Sequence, residues 1–520
     1  MGAGEERGPE PTAGSTVEVL VEGIPAALSL APSAGGATLG GELPLDTDGR
    51  TGVESMRTGL RQAGPLAAAG VLANGANVIV TVGVARILSP HSYGALNQLT
   101  GLFLILSMPG SAVVVAVVRR VTMWHDSGSG HLVRRWAGRV HRQGSMAVVV
   151  WGAAVFATRH WIAVLLGQKS GIGIAAVLTA AAFFVLLSLD RGLLQAHRSY
   201  RPLAVNLLVE GGVRTAAVLA LVGAGKGSSG AAVGILIAEI ATAAHARYAA
   251  VRAWSTDDHD HDLRRRPWPS GTSWASGWMA AVRPDHVLDG SRLARHRVLL
   301  DLVVASLSLS MVAILQNVDV LIVGRDDPSH SGAYAAVSVT SKAIVFGAVV
   351  LGGYLLPEAA IRWRQGGHAL RQLGVVLVFL SIPAILLLVL ALAAPHLILQ
   401  VVFHHAYASA APALAPLGGA MIMLSISVIL TMYLLAIGRR WVVGVLAAGG
   451  LTLALAVTAV HGHPHPTALV DLAVQAGVLA VILVGFAGAH RVHLPRRSSS
   501  SAGSSGSSGS AGELGVPGRQ

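Results

Sequence analysis

The chain has 520 residues, of which 53% are hydrophobic and only 12% charged, with a mean hydropathy of +0.61. Soluble domains carry about 25% charged residues, so a water-facing globule is excluded. The net charge of +12 sits between apolar segments, where it reads as a membrane-orientation signal rather than a nucleic-acid footprint. There is no cysteine, which excludes disulfides and thiolate metal sites.

Residues 1–64 are rich in Gly, Ala, Pro and acidic side chains, and their one apolar patch, 17–30, is interrupted by Glu22. That composition predicts a disordered cytoplasmic extension without a cleavable signal peptide. Twelve segments of spanning length follow, near 65–88, 94–118, 144–164, 170–189, 202–223, 230–251, 298–323, 332–356, 372–394, 410–437, 441–460 and 467–489. The third is interrupted by Arg159 and His160. The polar, proline-bearing stretch 252–297 reads as a cytoplasmic linker between an N-lobe (65–251) and a C-lobe (298–490), each of six spans. Residues 491–520 read as a flexible Ser/Gly-rich cytoplasmic tail.

Charges in the connections alternate. One set carries Arg119, Arg120, Arg134, Arg135, Arg191, Arg198, Arg264, Arg362, Arg439 and Arg440, among others. The opposite set carries only Arg159, Lys169, Lys226 and Arg325. A missed span would scramble this pattern, so it predicts both termini on the cytoplasmic side of the inner membrane. The loop after the first span, Pro90-His-Ser-Tyr-Gly94-Ala95, is echoed after the seventh by Pro328-Ser-His-Ser-Gly332-Ala333. Halves with even span numbers would then be related by an axis along the membrane normal.

Residues 74–97, NGANVIVTVGVARILSPHSYGALN, with DRGLL at 190–194 and NVDVLIVG at 317–324, resemble polysaccharide flippases of the O-antigen type. These belong to the multidrug/oligosaccharidyl-lipid/polysaccharide exporter superfamily. The resemblance covers roughly 65–490. It implies an all-α, V-shaped, MATE-like transporter of two six-helix lobes around a central cavity. It further implies alternating-access movement of undecaprenyl-pyrophosphate-linked sugars, or in other branches of cationic drugs or a peptidoglycan precursor. No cofactor follows from it. The partners it implies are membrane lipids, the lipid-linked substrate, and glycosyltransferases or a polymerase of the same pathway.

Ionisable groups inside a bilayer cost about 2.5–3.5 kcal/mol on insertion scales, so each needs a partner or a wet cavity. Asn206, Glu210 and Arg214 form one stripe of the fifth span, with Arg214 about 18 Å from its inner end. Lys342 lies about 15 Å from the outer end of the eighth span. Arg214 and Lys342 are therefore expected to engage a pyrophosphate from opposite lobes. Arg214 could equally pair with Glu210, and Lys342 with Asp319. Asn74, Asn77 and Asn97, with Gln316 and Arg86, are candidate sugar or headgroup ligands. The same residues also serve interhelical hydrogen bonding, and Arg86 an interfacial anchor. Asp319 is the first candidate for ion coupling, followed by Glu210 and Glu239; a buried acid paired with Lys342 or Gln316 is the alternative for Asp319. The histidine clusters at 257–262 and 461–466 read as solvated loops rather than metal sites.

Two rival functions remain at this level. A drug exporter of the same fold would favour acids and aromatics in its cavity, and aromatics are only 5% of this chain. A membrane enzyme needs paired carboxylates on a sizeable loop, and none is legible.

Overall fold

The backbone of an apolar helix satisfies its own hydrogen bonds, which is the condition for crossing lipid, and each predicted span forms such a helix. The structure, a computed structural model, describes residues 52–126, 131–197, 199–256, 292–364 and 370–491. The first half contains α1 (Gly52–Ile87), α2 (Pro90–Asp126), α3 (His131–Leu165), α4 (Gly171–Ala196), α5 (Tyr200–Gly223) and α6 (Gly227–Thr256). The second contains α7 (Arg292–Asp326), α8 (Ser331–Arg364), α9 (Leu370–Ala393), the short α10 (Pro395–Val402), α11 (Leu414–Ala436), α12 (Val442–Ala459) and α13 (Pro464–Arg491). A 3-10 turn, His405–Ala413, leads into α11 and completes the tenth of twelve membrane-length spans.

Several boundaries move relative to the sequence reading, α2 running on to Asp126 and α3 beginning at His131 rather than near 144. Helix α1 begins inside the segment expected to be an extension, and residues 1–51 lie outside the described part, as do most of 252–297 and the tail after 491. Helix α4 runs past 189 to Ala196. Arg191, which hydropathy assigns to a connecting loop, is thus buried within the fourth helix. The cause is that an ion pair satisfies it there, as described below. The third span, doubtful from its Arg159 and His160, is present but lies at the margin, presenting Met146, Val149, Val150 and Trp161 outward.

In the first half α2 packs on α4, α4 on α6, α5 on α6 and α1 on α5; in the second α8 packs on α11, α11 on α13 and α7 on α12. Between halves α2 lies against α7 and α8. That contact is closest where the echoed loops meet. A Cβ placed on Gly94 would fall 2.6 Å from the Gly332 nitrogen, and one on Gly332 would fall 1.9 Å from the Pro90 carbonyl oxygen. Both positions therefore require glycine so that backbones can touch. The motif that repeats in sequence is the point at which the repeats abut.

Polar stitching surrounds this contact. Gln98 donates to the Leu166 and Leu321 carbonyls, each at 2.9 Å, and Tyr407 donates to the Ala85 carbonyl at 2.8 Å. His91 Nδ1 lies 3.1 Å from the Pro328 carbonyl, which places its proton on that nitrogen. Tyr93 meets Tyr407 edge-on at 5.5 Å between ring centroids. This end of the molecule is closed.

Gly332→Val should part α2 from α8, at a cost of about 1–3 kcal/mol for overpacking. Because the chain lacks cysteine, a Thr100→Cys probe reports the change directly. Maleimide labelling of that probe from the closed end should rise several-fold in the Gly332→Val background. Unchanged labelling would show that the glycine contact does not hold this end shut.

Candidate functional site

The first half contains a buried chain of charges built across three helices. Arg191 of α4 holds Glu210 of α5, Nη2 to Oε2 at 2.5 Å, and donates through Nε to Asn206 Oδ1 at 2.8 Å. Arg214, one turn beyond Glu210, binds it at 2.7 Å and binds Glu239 of α6 at 2.6 Å. Its Nη1 donates to Asn77 Oδ1 of α1 at 3.4 Å. Asn206 donates to the Thr242 carbonyl at 2.9 Å and sits 3.2 Å from His245 Nδ1. Arg191 and Arg214 oppose Glu210 and Glu239, so with all four ionised the cluster is neutral. The helical spacing of Glu210 and Arg214 exposes one of these pairs to sequence reading. Glu239 and Arg191 come from other helices and join only in three dimensions.

Arg214 also lines a pocket. Around it lie Asn77 and Thr81 of α1, Asn97 and Thr100 of α2, and an apolar wall that includes Tyr93 and Phe103. Arg214 is the one charged residue of that lining, whereas Glu239 and Glu210 lie behind it. Two atoms of the ion pair, Arg214 Nε and Glu239 Oε2, are buried and make no hydrogen bond among the described residues.

The second half has its own cluster. Lys342 of α8 donates to Asn317 Oδ1 at 3.2 Å and stands 4.0 Å from Asp319 Oδ1, both on α7. Tyr334 donates to Asp319 Oδ2 at 2.7 Å. On α13, Gln475 donates to Asp471 Oδ1 at 3.1 Å and to the Leu315 carbonyl at 3.2 Å. Asp471 is fully buried within electrostatic reach of Asp319 and Lys342.

The expected ligands therefore divide. Arg214, Glu210, Glu239 and Asn77 come together, with Asn97 across the pocket. Lys342 and Asp319 come together in the other half, so each cation is paired inside its own lobe. Gln316 is buried, and its Nε2 makes no hydrogen bond among the described residues. Asn74 is half-buried outside the pocket lining, and Arg86 is exposed at the closed end, 3.4 Å from the Val401 carbonyl. Sequence reading missed Arg191, Asn317, Asp471 and Gln475. For the last two, an acid and an amide at i, i+4 in an apolar span was the available signal.

At the closed end Asp327 gathers His330 at 2.9 Å and His463 at 3.3 Å, so one member of the 461–466 cluster is anchored rather than merely solvated. Burial pushes the Asp327 carboxyl up. Hydrogen bonds from Ser329 and His330, with the charge of His330, outweigh that and hold it below the usual carboxylate range. No group of three or more His, Asp or Glu suited to a metal occurs among the described residues. The 257–262 cluster lies outside them.

Comparisons with known proteins give the fold its place. No family model matches, and no curated protein matches in sequence. Among solved structures, an inward-facing conformation of a multidrug resistance MATE family transporter of the MOP superfamily aligns with a TM-score of 0.57. That alignment is at 11% identity and covers 80% of this chain and 95% of that one. The lipid II flippase MurJ, in an inward closed conformation, aligns at 0.58 and 11% identity, covering 81% and 86%. The chain is a multi-pass membrane protein, with twelve helices among the described residues long and apolar enough to span. Its architecture is the MATE-like, two-lobed fold seen in transporters and flippases.

Two stability measurements follow. Glu210→Gln strips both arginines of a shared counter-ion and should cost about 3–5 kcal/mol. Adding Arg191→Gln should recover part of this in detergent melting curves, and an equally unstable double variant would contradict the charge-balance account. Asp327, titrating lower when folded than unfolded, contributes stability above about pH 4 that is lost as pH falls through the folded value. Acidification from pH 5 to 3.5 should therefore lower the wild-type melting temperature more than that of Asp327→Asn.

Proposed function

We propose that this protein is an alternating-access flippase that carries a lipid-linked oligosaccharide across the cytoplasmic membrane. The headgroup substrate is the pyrophosphate-bearing sugar of an undecaprenyl carrier. The observation that carries this reading is the lining of the Arg214 pocket: a single cation with two asparagines and two threonines along an otherwise largely apolar wall, and no carboxylate in the lining. Such a surface suits phosphate oxygens and sugar hydroxyls. A cationic drug would find no carboxylate in that lining to pair with.

The fold neighbours support transport and leave the substrate to the site: one is a multidrug transporter and the other a lipid II flippase. The drug-exporter reading draws on the buried acids Glu239 and Asp319, but both are held by cations. The arginine-rich connections lie at the end opposite the glycine contact, so the positive-inside rule puts the closed end outside and both termini in the cytoplasm. The pocket then fills from the cytoplasm, where glycosyltransferases build lipid-linked sugars, and a polymerase would receive the product outside. Lys342 is a second headgroup contact reached only when the lobes rearrange.

Proteoliposomes containing a fluorescent lipid-pyrophosphate sugar test this. The wild type should translocate it and leave a cationic dye untouched. Asn77→Ala and Asn97→Ala should each slow translocation about 5–10-fold, as loss of one or two hydrogen bonds implies. Dye transport without sugar transport would replace the flippase by the exporter.

A further inference from the structure

Resting on that reading of the pocket, we infer that the anionic headgroup enters by displacing Glu239 from Arg214, and that Glu239 takes up one proton as it is displaced, so each substrate is carried with a proton. The inference starts from charge balance. Arg191 and Arg214 cancel Glu210 and Glu239 in a site shielded from water. A pyrophosphate diester carries one negative charge on each phosphate; the phosphate that takes Arg214 adds one uncompensated charge to this site, which low-dielectric surroundings strongly oppose, while the other keeps its charge toward the aqueous side of the pocket. A proton on one carboxylate restores neutrality.

Geometry selects which carboxylate yields. Glu210 is gripped by two arginines, Arg191 at 2.5 Å and Arg214 at 2.7 Å. Glu239 is gripped by Arg214 alone, through Oε1, while its Oε2 has no hydrogen bond among the described residues. The charged groups facing Glu239 are Arg214 and Glu210 from α5 and Arg191 from α4. Removing Arg214 from Glu239 leaves it beside a like charge at Glu210, which favours the protonated form. Arg214 lines the pocket beside Asn77, which its Nη1 reaches at only 3.4 Å, so a phosphate approaching from the pocket side meets that nitrogen without dismantling the Arg191–Glu210 pair. The exchange balances: phosphate takes the guanidinium, the buffered aqueous phase supplies the proton through the pocket, and Glu239 becomes the neutral acid. On release the acid gives up its proton on the far side and Arg214 closes on it again.

Calorimetric titration of the purified protein with a water-soluble short-chain prenyl-pyrophosphate disaccharide, in buffers of different ionisation enthalpy, reads the proton directly. One proton should be taken up per ligand bound, and wild-type affinity should weaken about tenfold per pH unit while Glu239 is ionised in the free protein. Glu239→Gln should bind the same probe at least as tightly, with no proton uptake and no such slope. Wild-type binding without proton uptake overturns the inference while leaving the flippase reading intact, and so does a slope preserved in Glu239→Gln. No binding of the probe to a wild type that melts cooperatively overturns the flippase reading itself. Should Glu239→Gln fail to fold, the wild-type measurement alone decides.

Discussion

Charge buried in a low-dielectric interior must be cancelled close by, and the helices of the first half are arranged around that requirement. Arg191, Glu210, Arg214 and Glu239 come from three helices and are joined by ion pairs of 2.5–2.7 Å. Apolar packing gains little inside a bilayer, because lipid tails solvate Leu and Val as well as a neighbouring helix does. Polar pairs have no such substitute in hydrocarbon. Removing any one partner leaves a charge that neither lipid nor the remaining residues accommodate. Arg191 shows the constraint acting on secondary structure itself: with Glu210 as partner it stays inside α4 rather than in the loop that hydropathy assigns.

Contacts within each half differ in kind from those between halves. Inside, ion pairs and charge-assisted hydrogen bonds link α4, α5 and α6, and a second cluster links α7 to α8. Between halves, the bonds are amide, hydroxyl and ring donors reaching backbone carbonyls, with one long guanidinium bond from Arg86 to the Val401 carbonyl, an edge-on tyrosine pair and two abutting glycines. Neutral hydrogen bonds are roughly half as strong as charge-assisted ones, and those at the membrane surface can be exchanged for water.

How much of this is legible in sequence follows from how local each signal is. The twelve spans, the alternating arginines and the split at 252–297 are one-dimensional patterns, and the spans and two-lobed fold are present. The Glu210–Arg214 pair is readable because i, i+4 spacing is a contact by itself. Glu239 was a candidate without a partner, since nothing in a sequence says that α6 lies behind α5. Asp471 and Gln475 carried the same i, i+4 signal, but their reach to the Leu315 carbonyl and to Asp319 and Lys342 emerges only once α13 is seen beside α7. The expectation that Arg214 and Lys342 form a bare cationic clamp treated them as lacking near neighbours. Each instead has an acid within its own half.

That neutralisation changes what a binding site here must do. A pair of uncompensated cations near the midplane would hold a pyrophosphate so firmly that release would become the slow step, as a site for transit must bind weakly enough to let go. They would also impose the full cost of buried charge on the empty protein. An arginine already matched by a carboxylate avoids both problems. In the structure Glu239 holds Arg214; in the proposed exchange the phosphate would replace Glu239, so the guanidinium would be paired at every stage. The free-energy difference between the two states is then a difference between two similar ion pairs, small enough for a proton, a membrane potential or the lobe junction to tip. In the proposed exchange, cargo would enter because its anion resembles a group the protein already contains, and the glycan beyond the phosphate would be left for the pocket-lining Asn77, Asn97 and their hydroxyl neighbours to sample.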